Sequence, residues 1–225
     1  MVHGQRVGGD LYHFLRANPN RVVFGLLDVA GSHEENQQIV AAARQTFQKL
    51  GSERFADGEI NEADTMMEFC LELNLSIRRS AAGVRSCAAF LGCYNEELGT
   101  ICYANAGHTP GLLRDPSGIT ELPATGLPLG LFSASTYEAP IAALQPGASL
   151  LLVSRGVVEA AYKKEEFGLE RVKQQLERSS VESAKGMAAA ILDGVQQFMR
   201  AAPAQNDFTA LALVRAAKGQ IGIGA

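Results

Sequence analysis

Two aspartates stand where a polypeptide could hold a hard cation. Asp10 follows the pair Gly8-Gly9, and Asp28 closes the apolar run Val22 to Leu27. That run is rich in β-branched residues and reads as a buried strand delivering a carboxylate at its end. Two further positions of chemical interest are Arg155 in Ser154-Arg155-Gly156 and Asn206 in Asn206-Asp207-Phe208-Thr209. All four lie at the ends of predicted strands. Hard divalent cations take oxygen ligands, and a metal pair can both acidify a water and clamp phosphoryl oxygens. Carboxylates at converging strand ends would supply such ligands. Taken singly, each aspartate has a plainer role, Asp10 as a turn residue and Asp28 as the cap of a following helix.

The elements that must position these residues follow from patterning. Ser32 and Glu35 have capping-box spacing, and Ile39, Val40, Ala43, Phe47 and Leu50 recur at helical intervals before Gly51, predicting a helix over about 33–50. A second helix holds Met66, Met67, Cys70, Leu71, Leu73, Asn74 and Ile77 and stops near Ala82-Gly83, with the Met pair filling core. Val84 to Tyr94 and Gly99 to Asn105, joined through Asn95-Glu96-Glu97, read as an antiparallel hairpin. Short strands follow at Gly111 to Arg114 and Ile119 to Leu122 around the turn Asp115-Pro116-Ser117-Gly118. Leu150 to Val153 and Phe208 to Val214 are continuously apolar, as strands covered on both faces are. Helical stripes over Leu169 to Leu176 and Met187 to Phe198 lie between them. Such an order does not alternate as β-α-β units would, which disfavours a doubly wound parallel sheet.

The composition is that of a globular chain with a substantial core: 225 residues, 47% hydrophobic and 20% charged. Twenty Lys and Arg against 24 Asp and Glu give a net charge of -4, so there is no basic field to attract nucleic acid. No apolar run approaches the roughly 18 residues of a membrane span, and the opening MVHGQRVGGD lacks a signal-peptide core. Cytoplasmic residence is expected. Cys70, Cys87, Cys93 and Cys102 form no Cys-x-x-Cys pair and sit among apolar neighbours, which predicts buried free thiols.

Seven segments occur in order: GGDLYHF, LDVAGSH, YANAGHTPGLL, GLPLG, LLLVSRGVVEA, FGLERV and NDFTALALV. Together they resemble the successive signatures of PPM-type (type 2C) serine/threonine phosphatases of the sporulation stage II E kind, over residues 7 to about 214. The resemblance implies an α+β fold, a four-layer α-β-β-α sandwich of two mainly antiparallel sheets flanked by helices. It also implies a Mg²⁺ or Mn²⁺ cleft where a metal-activated water attacks phosphoserine or phosphothreonine. Carried over position by position, one metal takes Asp10, Asp28 and the backbone carbonyl of Val29. The second takes the shared central aspartate and two more, and those two positions read Arg155 and Asn206 here. Arginine is a permanent donor and cannot ligate a cation, and Asn206 is a weakened, neutral ligand. Asp207, at an extended strand end, points to the opposite side. At most one ion is therefore expected. His13, Leu27 and Ser32-His33 also depart from the family pattern. An exposed His33 reads as surface, and His108 as a turn-stabilising residue.

Three functions follow from these residues. The first is a phosphatase with impaired catalysis, acting on a phosphoprotein partner such as an anti-sigma antagonist. The second is a non-enzymatic pseudophosphatase serving as a binding or signal-relay module. The third is a single-metal hydrolase using Asp10 and Asp28. The resemblance further implies one domain over residues 1–225 without the strand that such domains carry before Gly-Gly-Asp, since only Met1 to Val7 precede it. A bare sheet edge there would invite a homodimer.

Overall fold

Asp10 opens the first strand, β1 (Asp10–Asn18), and Asp28 is the penultimate residue of the second, β2 (Arg21–Val29). The computed structural model describes residues 1–4, 8–81, 85–179, 183–200, 202–216 and 221–224. After β2 come α1 (His33–Arg54), α2 (Glu62–Ser80), β3 (Cys87–Asn95), β4 (Thr100–Ala106), β5 (Gly111–Asp115) and β6 (Gly118–Leu122). Then follow β7 (Ile141–Ala143), β8 (Ser149–Val153), α3 (Arg155–Val158), β9 (Ala161–Tyr162) and β10 (Glu165–Glu166). The chain finishes with α4 (Gly168–Arg178), α5 (Ala184–Phe198), β11 (Ala210–Arg215) and β12 (Ile221–Gly224). Two compact units are formed. One comprises Gly9–His108 and Pro123–Ala143, the other Met1–Gly8, Thr109–Leu122 and Leu144–Ala225.

In the unit that begins at Gly9, an antiparallel sheet runs in the order β1-β2-β3-β4-β7. β2 is buried along its whole length, as its unbroken apolar sequence requires of an inner strand. β1, at the edge of the order, alternates, with Leu11 buried and Phe14 42% exposed. α1 starts where the sequence places it: Ser32 caps the helix and Glu35 reaches back to the cap backbone. The buried stripe Ile39, Ala43 and Phe47 meets Met66, Phe69, Cys70, Leu73 and Ile77 of α2 in one core with the sheet. Phe69 stands at its centre, edge-on to Phe47 at 5.2 Å and to Phe55 at 5.7 Å. Met66 is buried in this core, while Met67 is only half-buried. α2 ends at Ser80, and the expected Ala82-Gly83 stop, with Val84, lies outside the described residues.

β2 is also tied to the loop ahead of α2. The buried Arg21 guanidinium donates through Nε to Glu62 Oε1 (2.7 Å), and to the carbonyls of Asp57 and Gly58. Asn95 Nδ2 donates to the same Glu62 oxygen at 2.7 Å. All four cysteines are free and buried in this unit, as expected.

In the other unit the sheet order is β12-β11-β8-β5-β6, again antiparallel throughout. Leu150 to Val153 are fully buried, and α4 and α5 pack Val172, Leu176, Met187, Ile191 and Val195 with Leu151, Val153, Ala210 and Ala212. The turn between β5 and β6 is built by Asp115, whose Oδ1 accepts from Ser117 N at 2.8 Å. The α+β class with two antiparallel sheets and helices is therefore the one the sequence predicts. β1, β7, β9, β10, β12 and the single helical turn α3 are additions to that expectation.

Candidate functional site

Asp10 and Asp28 are direct cross-strand partners in the β1/β2 ladder. Side chains at such positions share one face, with Cβ atoms about 4.5–5.5 Å apart, and like charges so placed repel. They are only 9% and 8% exposed. Two carboxylates on one face of the ladder concentrate negative charge there, which a cation would offset.

The backbone around the pair is tightly built. Val29 N donates to the Gly9 carbonyl at 3.3 Å. Gly9 has to be glycine, because a Cβ there would stand 2.5 Å from the Val29 oxygen and 2.6 Å from Asn36 Nδ2. The Val29 carbonyl accepts from Asn36 Nδ2 at 3.0 Å. Two carboxylates with an adjacent carbonyl form an all-oxygen donor set of the kind that a hard Mg²⁺ or Mn²⁺ would take. Cys87, the cross-strand partner of Val29, does not alter this character. Burial first, then the charges of Asp28 and Asp10, push its thiol far above the ordinary range, so it stays a protonated small hydrophobe rather than a soft thiolate ligand.

Arg155 and Asn206 belong to the other unit, where they are brought close to each other. Arg155 is not at a strand end but opens the helical turn α3 behind Ser154. Its side chain is half-exposed, with Nε 3.8 Å from Glu159 Oε1, one turn along. Gly156 lies against the second segment: a Cβ on it would fall on the Asp207 carbonyl oxygen and stand 3.0 Å from Asn206 Cβ. Ser154 stitches the two stretches, its amide donating to the Thr209 carbonyl (2.9 Å) and its hydroxyl accepting from Thr209 N (3.1 Å). The buried Asp207 accepts from Gly4 N at 2.9 Å and has His3 Nδ1 at 3.5 Å. It ties down the backbone of the N-terminal segment through Gly4. A guanidinium has no lone pair to give a cation, and a neutral amide gives only one uncharged oxygen.

His33 is the exposed first residue of α1. His108 is buried, and its backbone N–H donates to Asn105 Oδ1 at 2.8 Å across a turn containing Gly107 at φ +67°. His13 meets the Phe47 ring edge-on at 5.2 Å, and burial, then Arg44, lower its pKa. The residue that patterning missed is Asn36. A sequence signal existed, since Asn36 lies on the same helical face as Ile39, Ala43 and Phe47, where a polar residue is out of place.

The family model described as Stage II sporulation protein E (SpoIIE) matches residues 18–216. Phosphoserine phosphatase RsbU of Bacillus subtilis is 26% identical over 218 residues, which is 95% of this chain and 61% of the relative's own length. The chain therefore spans less than two thirds of that protein. Among solved structures, the RsbU and RsbW domains of a Mycobacterium tuberculosis protein superpose with TM-score 0.74 at 22% identity, over 94% of this chain and 57% of that one. RsbX in complex with magnesium superposes with TM-score 0.64 at 16% identity, over 92% and 86% of the two chains. These likenesses establish the fold. Among the described residues, no helix is long and apolar enough to cross a membrane.

Proposed function

The chain belongs to the stage II sporulation protein E (SpoIIE) family, and on that premise we propose that it is a metal-dependent protein serine/threonine phosphatase domain of a bacterial signalling regulator, with impaired catalysis. The observation that carries this reading is the cross-strand pairing of Asp10 with Asp28 beside the Val29 carbonyl. These three groups would hold one Mg²⁺ or Mn²⁺. Such an ion, when bound, supplies positive charge toward phosphoryl oxygens and acidifies water. Asp10 and Asp28 would bind it and offset its charge, with the Val29 carbonyl as a third oxygen donor.

Arg155 and Asn206 stand where the family resemblance calls for two further carboxylates. Loss of a second ion removes several kcal/mol of charge stabilisation, on the order of a thousandfold or more in rate. The same two residues favour a second reading, in which the domain binds its partner without turning it over. The partner proposed is a phosphoprotein of the anti-sigma antagonist kind in the cytoplasm. A second copy of the chain could pair along the edge strand β1, where Phe14 is exposed. Residues 1–225 act as a single phosphatase domain in this proposal.

The test is Mn²⁺-supported hydrolysis of a phosphoserine peptide. Slow turnover that vanishes in Asp28→Ala supports the enzyme. Partner binding with no turnover at any metal concentration supports the pseudophosphatase instead.

A further inference from the structure

We infer that Asn36 is a positioning residue for the Asp10/Asp28 cation site, acting through the Val29 carbonyl. The inference rests on the reading that this carboxylate pair holds a divalent cation. Asn36 is 1% exposed, on the buried stripe of α1, where an apolar side chain would continue the pattern of Ile39, Ala43 and Phe47. A buried amide costs on the order of a few kcal/mol unless it is hydrogen-bonded, so its place calls for a use.

That use is visible in its surroundings. Nδ2 donates to the Val29 oxygen at 3.0 Å. The space for the amide is left by two glycines. A Cβ on Gly9 would lie 2.6 Å from Nδ2, and one on Gly31 3.1 Å from Oδ1. Asn36 thus sits where the Gly8-Gly9-Asp10 turn meets the end of β2, which Val29 N already ties to the Gly9 carbonyl. A carbonyl oxygen has two lone pairs, and a fixed donor on one of them sets the direction of the other. The first turn of α1 is rigid here, because Ser32 and Glu35 close a capping box and Asn36 N bonds Ser32 O at 3.1 Å. The amide is therefore an outer partner that orients a ligating oxygen, as hydrogen-bond partners of metal ligands do elsewhere.

Mn²⁺ titration of the full chain by calorimetry tests the inference, with Asn36→Ala, Asn36→Thr and Asn74→Ala beside the unaltered protein. Threonine is close to asparagine in size, and its hydroxyl can bond the carbonyl four residues back, so that variant keeps the helix while losing the donor to Val29. Asn74 is the control for destabilisation alone. It is a fully buried amide in the same unit, bonded to Gly130 N (2.7 Å) and the Phe132 carbonyl (2.9 Å) instead of to Val29. Both Asn36 variants are expected to bind Mn²⁺ about 10–100-fold more weakly, and Asn74→Ala to keep the original affinity. Unchanged affinity in the Asn36 variants, or an equal loss in Asn74→Ala, overturns the role of Asn36 and leaves the cation site standing. No Mn²⁺ uptake by the unaltered protein overturns both.

Discussion

Glu62→Ala would strip a buried guanidinium of its only carboxylate partner among the described residues. Arg21 and Glu62 side chains are 8% and 10% exposed, with Nε and Oε1 at 2.7 Å. Removing one member of a buried ion pair typically costs about 3–5 kcal/mol, because the other charge stays in a poor solvent. Two features refine that figure. Arg21 keeps the Asp57 and Gly58 carbonyls as acceptors, which lowers the cost, while Asn95 Nδ2 loses its bond to Glu62, which raises it. The balance gives roughly 3–4 kcal/mol, or a fall in Tm on the order of 10 °C for a chain of this length. Glu62→Gln keeps an acceptor and should cost only about 1–2 kcal/mol. Urea unfolding and calorimetry at neutral pH read both values. Arg21 and Asp28 lie at opposite ends of β2, roughly 23 Å apart at strand rise, so Mn²⁺ affinity should not follow the loss of stability. A Glu62→Ala cost below about 1 kcal/mol would refute the reasoning, since it would mean that the pair is solvated rather than buried.

Phe69→Ala removes a ring that touches both Phe47 and Phe55 and should cost about 3–5 kcal/mol by urea unfolding, with a smaller cost showing that the aromatic cluster collapses into the gap. For His13, the folded pKa lies below the unfolded value of about 6.5. The unfolded chain therefore takes up the proton first, and stability should fall as pH drops through about 6.5 until the folded pKa is passed. His13→Gln should flatten the profile between about pH 7.5 and 5.5, and an unchanged slope would assign the effect to other groups. Burial pushes the Cys102 thiol up to about 12 and the other three higher still. Iodoacetamide should leave the native protein unmodified and label it only after denaturation; rapid native labelling would contradict the packing.

The local part of this architecture is written in the sequence because it depends on neighbours only. Ser32 and Glu35 announce the start of α1, Asp115 builds its own turn, and the unbroken run in β2 declares a strand covered on both sides. Candidate site residues can also be named from the sequence, because seven segments keep their order. Their geometry is not. That Asp10 begins a strand instead of ending one, and faces Asp28 across a ladder, depends on the β1/β2 register, which no short pattern encodes. Arg155 joins a one-turn helix whose four residues carry no usable periodicity. β12, with Gly222 and Gly224 among its four residues, has little strand propensity and is held by pairing with β11. Asn36 stands out as a polar residue on the apolar stripe of α1, but its partner is a backbone oxygen, which the sequence does not name.

The central claim is that this family member keeps one cation site at Asp10 and Asp28 and has lost the other at Arg155 and Asn206. Counting bound Mn²⁺ by calorimetric titration, with inductively coupled plasma analysis of the saturated protein, tests it directly. One ion per chain is expected, and that ion should be lost in Asp28→Ala. No ion, two ions per chain, or one that survives Asp28→Ala would contradict the claim.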